Sequence, residues 1–366
     1  MGKTSFVCME VLAISFHICT TSCSKSTTSK IGTAPVESGD GRTITTEAPF
    51  GIAGFATQNG GTTGGQGGAT VTATSFADLK TYLESSTTYI VRVDRRIYNG
   101  TKGGRINVNN NKTLLGVGTA GFLDGIGLNI SSKTNVIIQN IKITLTSITD
   151  RSDPAVYDPD GDEGLPQIIV NGGDCISIQG SSSNVWIDHC ELYNTDPTVQ
   201  TNKDLYDGLV DIKNTSQYIT LSWNYFHDNH KTHLIGSSDT DISDRKLTFH
   251  HNYYRNIASR LPLNRGGVAH VYNNYYNVIR GSGIDSRMGA CVRVENNVFE
   301  TVKSPIIASG TTLGKYQVIG NTFSGITGTA APTSSTCTFT PPYSYSLDDA
   351  SAVKSGVIAG AGVGKI

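Results

Sequence analysis

The sequence has little charge. Only 16% of its 366 residues are charged, and the formal net charge is -1. No global field therefore recruits nucleic acid or an acidic membrane surface. The 7 cysteines contain no C-x-x-C pair, which argues against zinc. The glycine-dense stretch 58–69 and the tail Gly360-Ala361-Gly362-Val363-Gly364-Lys365 hold no G-x-x-x-x-G-K-[ST], so neither reads as a phosphate loop. Helical periodicity is scarce as well. One convincing amphipathic helix is expected, over Ser75 to Leu83, with Ser75 or Thr74 as its cap.

At the N-terminus, Met1-Gly2-Lys3 and the mostly apolar Phe6 to Ile18 read as an export leader over residues 1–23. Phe6 stands where a myristoylation motif needs Ser or Thr. Thr21-Ser22-Cys23-Ser24 offers Cys23 as a lipid anchor, although Thr20 stands where that motif prefers an aliphatic residue. Ordinary cleavage is the other reading, so the chain is expected to be secreted or held at the outer surface as a lipoprotein. Residues 24–48 are rich in Ser, Thr and Gly and read as a flexible linker. A single domain follows over 49–366; one this long is possible when its architecture is elongated. Its four cysteines, Cys175, Cys190, Cys291 and Cys337, allow three pairings. Cys175 and Cys190 read as small buried apolar residues.

Strands dominate that domain, and they repeat. The pattern apolar-x-apolar-x-x-Asn-x-aromatic appears as Ile219-x-Leu221-x-x-Asn224-x-Phe226. It returns around Asn252, Asn274, Asn297 and Asn321. Two earlier copies carry Ile141 and Cys190 in place of Asn. Period-2 alternation within each copy gives a strand with one buried face. Successive asparagines lie 28, 22, 23 and 24 residues apart, enough for one solenoid coil. Stacked coils would place Asn over Asn and ring over ring, each amide satisfying the next. The fold expected is all-β, a parallel β-helix. An antiparallel sandwich would need turns every ~8–12 residues and leaves the aligned asparagines unexplained.

Two gaps in the period are long. Residues Thr149 to Gln167 and Tyr193 to Asp207 must leave the coil as loops, and such insertions usually build a binding face. Both precede the charged residues. Asp207 and Asp211 share strand parity, so they would repel unless a cation lay between them. Asp174, one coil earlier, would add a third hard oxygen ligand suited to Ca2+. Lys231 follows the Phe226 strand, and Arg260 and Arg265 flank Pro262 in an expected loop. Each basic residue alone reads as a solvated charge; together they suit a polyanion.

Four blocks, in this order, resemble the signatures of the family 1 pectate lyases. They are Trp186-Ile187-Asp188-His189, Asp207-Gly208-Leu209-Val210-Asp211, Lys231 within His230 to Asp239, and Arg260-Leu261-Pro262-Leu263-Asn264-Arg265-Gly266-Gly267. The resemblance runs from about Gly51 to the C-terminal Ala359–Lys365 segment. It implies a right-handed parallel β-helix with long loops on one face, acting on polygalacturonate by calcium-assisted β-elimination. It also implies Asp174, Asp207 and Asp211 as calcium ligands and Lys231 as the residue binding the substrate carboxylate. Arg260 matches the family's proposed base and Arg265 its support; Arg287 joins Lys231 and Arg265 in substrate binding. The family often has Glu where Asp207 stands, and some members carry an aspartate where Gly172 stands. Asp188 and His189 match a structural motif. A monomer without nucleic-acid partners is expected.

Three other readings compete. A pectin lyase would act on methyl esters without Ca2+, and would not need Asp207 and Asp211. A galacturonan hydrolase needs paired acid and base carboxylates. A non-catalytic carbohydrate-binding β-helix would need neither Lys231 nor the arginines.

Overall fold

A computed structural model describes residues 51–366. The expected leader and linker lie outside these residues. The repeats wind into three parallel sheets of ten, nine and eight strands, and successive coils visit each sheet in turn. In one coil, Gln217–Ser222 lies in the first sheet, Tyr225–Lys231 in the second and Leu234–Ile235 in the third. Equivalent positions pair from coil to coil: Ile219 with Leu247, Leu247 with Ala269, Ala269 with Val292, and Val292 with Tyr316. This is the expected right-handed parallel β-helix, the hand that parallel crossovers take. The alternating apolar residues point inward: Ile219, Leu221, Leu247, Phe249, Val271 and Val294 are all fully buried.

A two-residue turn joins the first sheet to the second. Its first residue is left-handed, as at Trp223 (φ 52°), His251 (φ 54°) and Asn273 (φ 51°). Its second residue is the repeating asparagine. Asn224 donates to Asn252 at 3.0 Å, Asn252 to Asn274 at 2.9 Å, Asn274 to Asn297 at 2.9 Å and Asn297 to Asn321 at 3.0 Å. The column ends where the asparagines do: Cys190 offers only its backbone N–H to Asn224 Oδ1. Behind it, Phe226, Tyr254, Tyr276, Phe299 and Phe323 stack at centroid spacings of 5.3, 4.8, 4.5 and 5.1 Å.

Both insertions emerge between the second and third sheets. The first is not wholly irregular, since Tyr157–Asp158 and Gln167–Ile168 form a short antiparallel hairpin. The expected helix is present as α1 (Phe76–Leu83), with Ser75 Oγ accepting from Asp78 N. It is not alone, which corrects the expectation of a single helix. A second helix, α2 (Ala350–Gly360), lays Val353 and Val357 on Tyr275 of the second sheet. Cys291 and Cys337 form a disulfide with Cα atoms 6.1 Å apart. Cys175 and Cys190 are buried free thiols, as expected.

Candidate active site

The strand Val210–Ile212 opens the third sheet of its coil and places Asp211 on the outward face, fully buried beneath the insertions. Asp174 caps the turn before Ile176–Gln179 in the preceding coil and is also buried. Asp207 is not on the strand as its parity with Asp211 implied. It lies in the chain leading to the strand, half-buried, and reaches the same point from the loop. One carboxylate oxygen from each of the three lies within 4.8 Å of the others. Gly208 makes this convergence possible. A Cβ there would sit 2.0 Å from Asp211 Oδ1 and 3.2 Å from Asp174 Oδ1. Its N–H instead donates to Asp174 Oδ1 at 2.9 Å. At Gly172 the backbone is left-handed (φ 67°) and a Cβ there would meet nothing within 4 Å.

The electrostatics of this cluster are unfavourable as it stands. Burial, followed by the charge of Asp211, pushes the Asp174 carboxyl well above the usual carboxylate range. Burial also raises Asp211, against the pull of Lys213. Lys213 Nζ lies 3.2 Å from Asp174 Oδ2 and 3.1 Å from Asp211 Oδ2. Burial disfavours its charge, but Asp211 and Asp174 overcome that and hold it protonated. Two buried carboxylates thus share one ammonium. Asp211 Oδ1 accepts from Leu234 N at 2.9 Å, while Oδ2 has no donor in good hydrogen-bonding geometry. Three converging hard oxygens short of positive charge fit a divalent oxygen-seeking cation such as Ca2+. Lys213 was not singled out from the sequence. The available signal was the alternation Asp211-Ile212-Lys213, which puts both charges on one face.

The expected basic residues gather on the same side. Lys231 ends the strand Tyr225–Lys231, and its register partner Ser259 immediately precedes Arg260. Lys231 Nζ lies 2.6 Å from Asp204 Oδ1 and 3.2 Å from Asp207 Oδ1. Arg260 Nη1 is 3.5 Å from the same Asp207 oxygen. Arg260 has φ 68°, a conformation uncommon for a bulky residue and associated with functional sites. Arg265 is largely buried; its Nε donates to Asp239 at 2.8 Å and its Nη1 to Gly236 O at 2.8 Å. Arg287 lies one coil further on, in register with Arg265. Its charge and that of Arg265 help hold the Asp239 carboxyl below its usual range, after the hydrogen bond from Arg265.

The insertions wall a cavity of about 210 Å3 beside Asp207, lined by Asp162, Glu163, Gln167, Asp204, Asp207 and Lys231 among others. Asp204 was missed in the sequence because it sits within an insertion, where only its count among loop acids was visible. Asp188 and His189 take the structural role expected. Asp188 ends the first-sheet strand Ser183–Asp188 and His189 (φ 50°) begins the turn to the second sheet; the two are joined at 2.6 Å, with Ser222 Oγ donating to Asp188.

Comparison with known proteins gives the same reading. The family model described as pectate lyase matches residues 42–366. The chain is 44% identical over 326 residues to a pectate trisaccharide-lyase of Bacillus licheniformis, covering 87% of this chain and 88% of that one. Among solved structures it resembles a pectate lyase from Bacillus sp. N165 in complex with trigalacturonate. That match has a TM-score of 0.73 and 34% identity, over 86% of this chain and 99% of the other. It also resembles pectate lyase C from Erwinia chrysanthemi, determined at pH 9.5 with 30 mM Ca2+, with a TM-score of 0.69 and 28% identity over 86% and 97%. The chain therefore belongs to the pectate lyase family of parallel β-helix polysaccharide lyases.

Proposed function

We propose that this enzyme cleaves α-1,4-linked polygalacturonate by calcium-assisted β-elimination, releasing 4,5-unsaturated oligogalacturonates. The observation that carries the reading is the convergence of Asp174, Asp207 and Asp211 within 4.8 Å, beside Lys231 and Arg260. Bound among those carboxylates, Ca2+ would draw charge from the galacturonate carboxylate and so acidify the neighbouring C5–H.

The side chains supply the rest. Lys231 exchanges Asp204 for the substrate carboxylate, adding a positive charge where negative charge develops in the transition state. Arg260 takes the C5 proton in its neutral form, since a protonated guanidinium has no acceptor. The C5–H electron pair becomes the C4–C5 double bond, and the C4–O bond breaks with its electrons leaving on the oxygen. Arg265, held by Asp239 and Gly236 O, fixes the floor beside Arg260. With Lys231 and Arg287 it forms the cationic face that receives the polyanion.

Mass spectrometry of the products separates this reading from its competitors. Elimination leaves one product end short of a water relative to hydrolysis. Unsaturated oligomers from de-esterified pectate support the proposal. Saturated oligomers, or a strong preference for highly methylated pectin, refute it. We also propose that the protein is exported as a monomer, either free or anchored at Cys23. The Cys291–Cys337 disulfide supports an oxidising compartment. The mass of the mature N-terminus decides between the two forms.

A further inference from the structure

A second asparagine contact lies at the opposite end of the second sheet, away from the long ladder. Asn194 Nδ2 donates to Asn229 Oδ1 at 3.2 Å, and both side chains are buried. Asn194 Oδ1 accepts from Leu145 N at 2.9 Å. Asn229 Nδ2 then donates to Asp207 O at 2.9 Å and to Lys231 O at 2.5 Å. An amide nitrogen carries two protons, and here each goes to the backbone of a residue in the site. One residue is a carboxylate of the acidic cluster and the other is the lysine facing the substrate. Leu145 and Asn194 stand at the roots of the two insertions. A short relay therefore runs from both roots, through Asn229, to the two chain segments that must be held at a fixed separation.

We propose that Asn229 is a positioning residue that sets the spacing between Asp207 and Lys231, and so the joint seat of the cation and the substrate carboxylate. Its side-chain amide acts on the backbone of the two segments, at Asp207 O and Lys231 O. The inference rests on the functional reading above. Its physical basis is that the Asp207 segment is loop and the Lys231 segment is a strand end. Backbone bonds from Leu209 N and Val210 N to Thr232 O join the chain just beyond these residues, and the Asn229 amide extends that restraint back to Asp207 itself.

The test uses Asn229→Asp and Asn229→Leu. The first keeps the shape and the acceptor for Asn194 but removes both donors; the second removes all polar atoms. Calcium affinity is measured by titration calorimetry, trigalacturonate affinity likewise, and KM and kcat on polygalacturonate. Loss of a net hydrogen bond to each segment should weaken calcium binding and raise KM by about five- to tenfold. In a Lys231→Ala background the same substitution should raise KM by a smaller factor than in the parent, because the share of its effect that acts through Lys231 is already lost, while its effect through Asp207 remains. A purely structural role would not produce that coupling. Calcium affinity and KM within about twofold of the parent in both variants overturn the proposal. Loss of the fold in both assigns Asn229 to stability alone and overturns it too. A parent protein that binds neither calcium nor trigalacturonate instead refutes the reading of the site itself.

Discussion

Replacing Asn274 by Ala removes an interior rung of the ladder. Asn274 Nδ2 contacts Phe249 O at 2.9 Å, Tyr272 O at 3.0 Å and Asn297 Oδ1 at 2.9 Å. Its Oδ1 accepts from Asn252 N and Asn252 Nδ2, both at 2.9 Å. Several partners keep a second contact after truncation. Tyr272 O still accepts from His251 N, Asn297 Oδ1 from Asn274 N, and Asn252 Nδ2 still donates to Leu221 O. Asn252 N loses its acceptor in a fully buried turn, and Phe249 O loses a donor. An orphaned buried polar group costs about 1–3 kcal/mol, so a loss of about 2–3 kcal/mol is expected. Asn321 provides the comparison. It is the last rung and half-buried, accepting from Asn297 N and Nδ2. Water can replace part of those contacts, so Asn321→Ala should cost about 1 kcal/mol. Guanidinium midpoints with unchanged slopes would read both losses directly. A loss below about 0.5 kcal/mol at Asn274, or one no larger than at Asn321, would refute the claim that the interior amides hold the coils together.

Arg260→Lys should fold normally and still bind calcium and trigalacturonate, yet lose at least about a hundredfold in kcat, the low end of a general base's share; near-normal turnover would remove Arg260 from the chemistry. Glu295→Gln should weaken the fold at neutral pH and weaken it progressively less as pH falls. Burial opposes the Glu295 charge, but hydrogen bonds from His270 and Arg293 hold its pKa down to about 2 from 4.5. A depressed carboxylate stabilises the fold above the unfolded value and loses that contribution as pH falls toward 2. At ~1.4 kcal/mol per tenfold change in proton affinity, the contribution at neutral pH is on the order of 3 kcal/mol. The difference in stability between parent and variant should therefore shrink from pH 5 to pH 2, and a constant difference would contradict the ion-pair account. Removing the Cys291–Cys337 link with paired alanines opens a loop of 46 residues. The chain-entropy relation gives a loss of about 4 kcal/mol, visible as a lower melting temperature with unchanged kcat.

The coil was legible because its signal is local and repeated: each copy states the alternation anew, and five of them the asparagine. The carboxylates were legible in identity but not in path. Asp207 reaches Asp211 from a loop, which Gly208 permits and strand parity does not describe. Asp204 and Asn229 were not singled out, because each acquires its meaning from a residue more than twenty positions away; Lys213 was passed over despite its alternation with Asp211, because Asp174, its other partner, lies a coil away. Lys213 alone is a lysine at a strand end, and Asn229 one polar residue among many. Helix α2 was missed for another reason. Its span includes Gly356 and Gly360, poor helix formers, and Val353 and Val357 gain their value only by docking on Tyr275. The disulfide pairing could not be read because Cys337 arrives on an irregular segment, held where Thr336 N and Cys337 N donate to Tyr316 O.

The central claim is that Asp174, Asp207 and Asp211 seat a calcium ion needed for elimination. The most direct measurement is the ultraviolet absorbance of the conjugated 4,5-unsaturated uronate released from polygalacturonate. It is followed in the purified protein, after chelation with EDTA, and after calcium is restored in excess. The account predicts steady release, its loss on chelation and its return with calcium, with Asp211→Asn inactive throughout. Release that continues undiminished in EDTA, or an active Asp211→Asn variant, would contradict it.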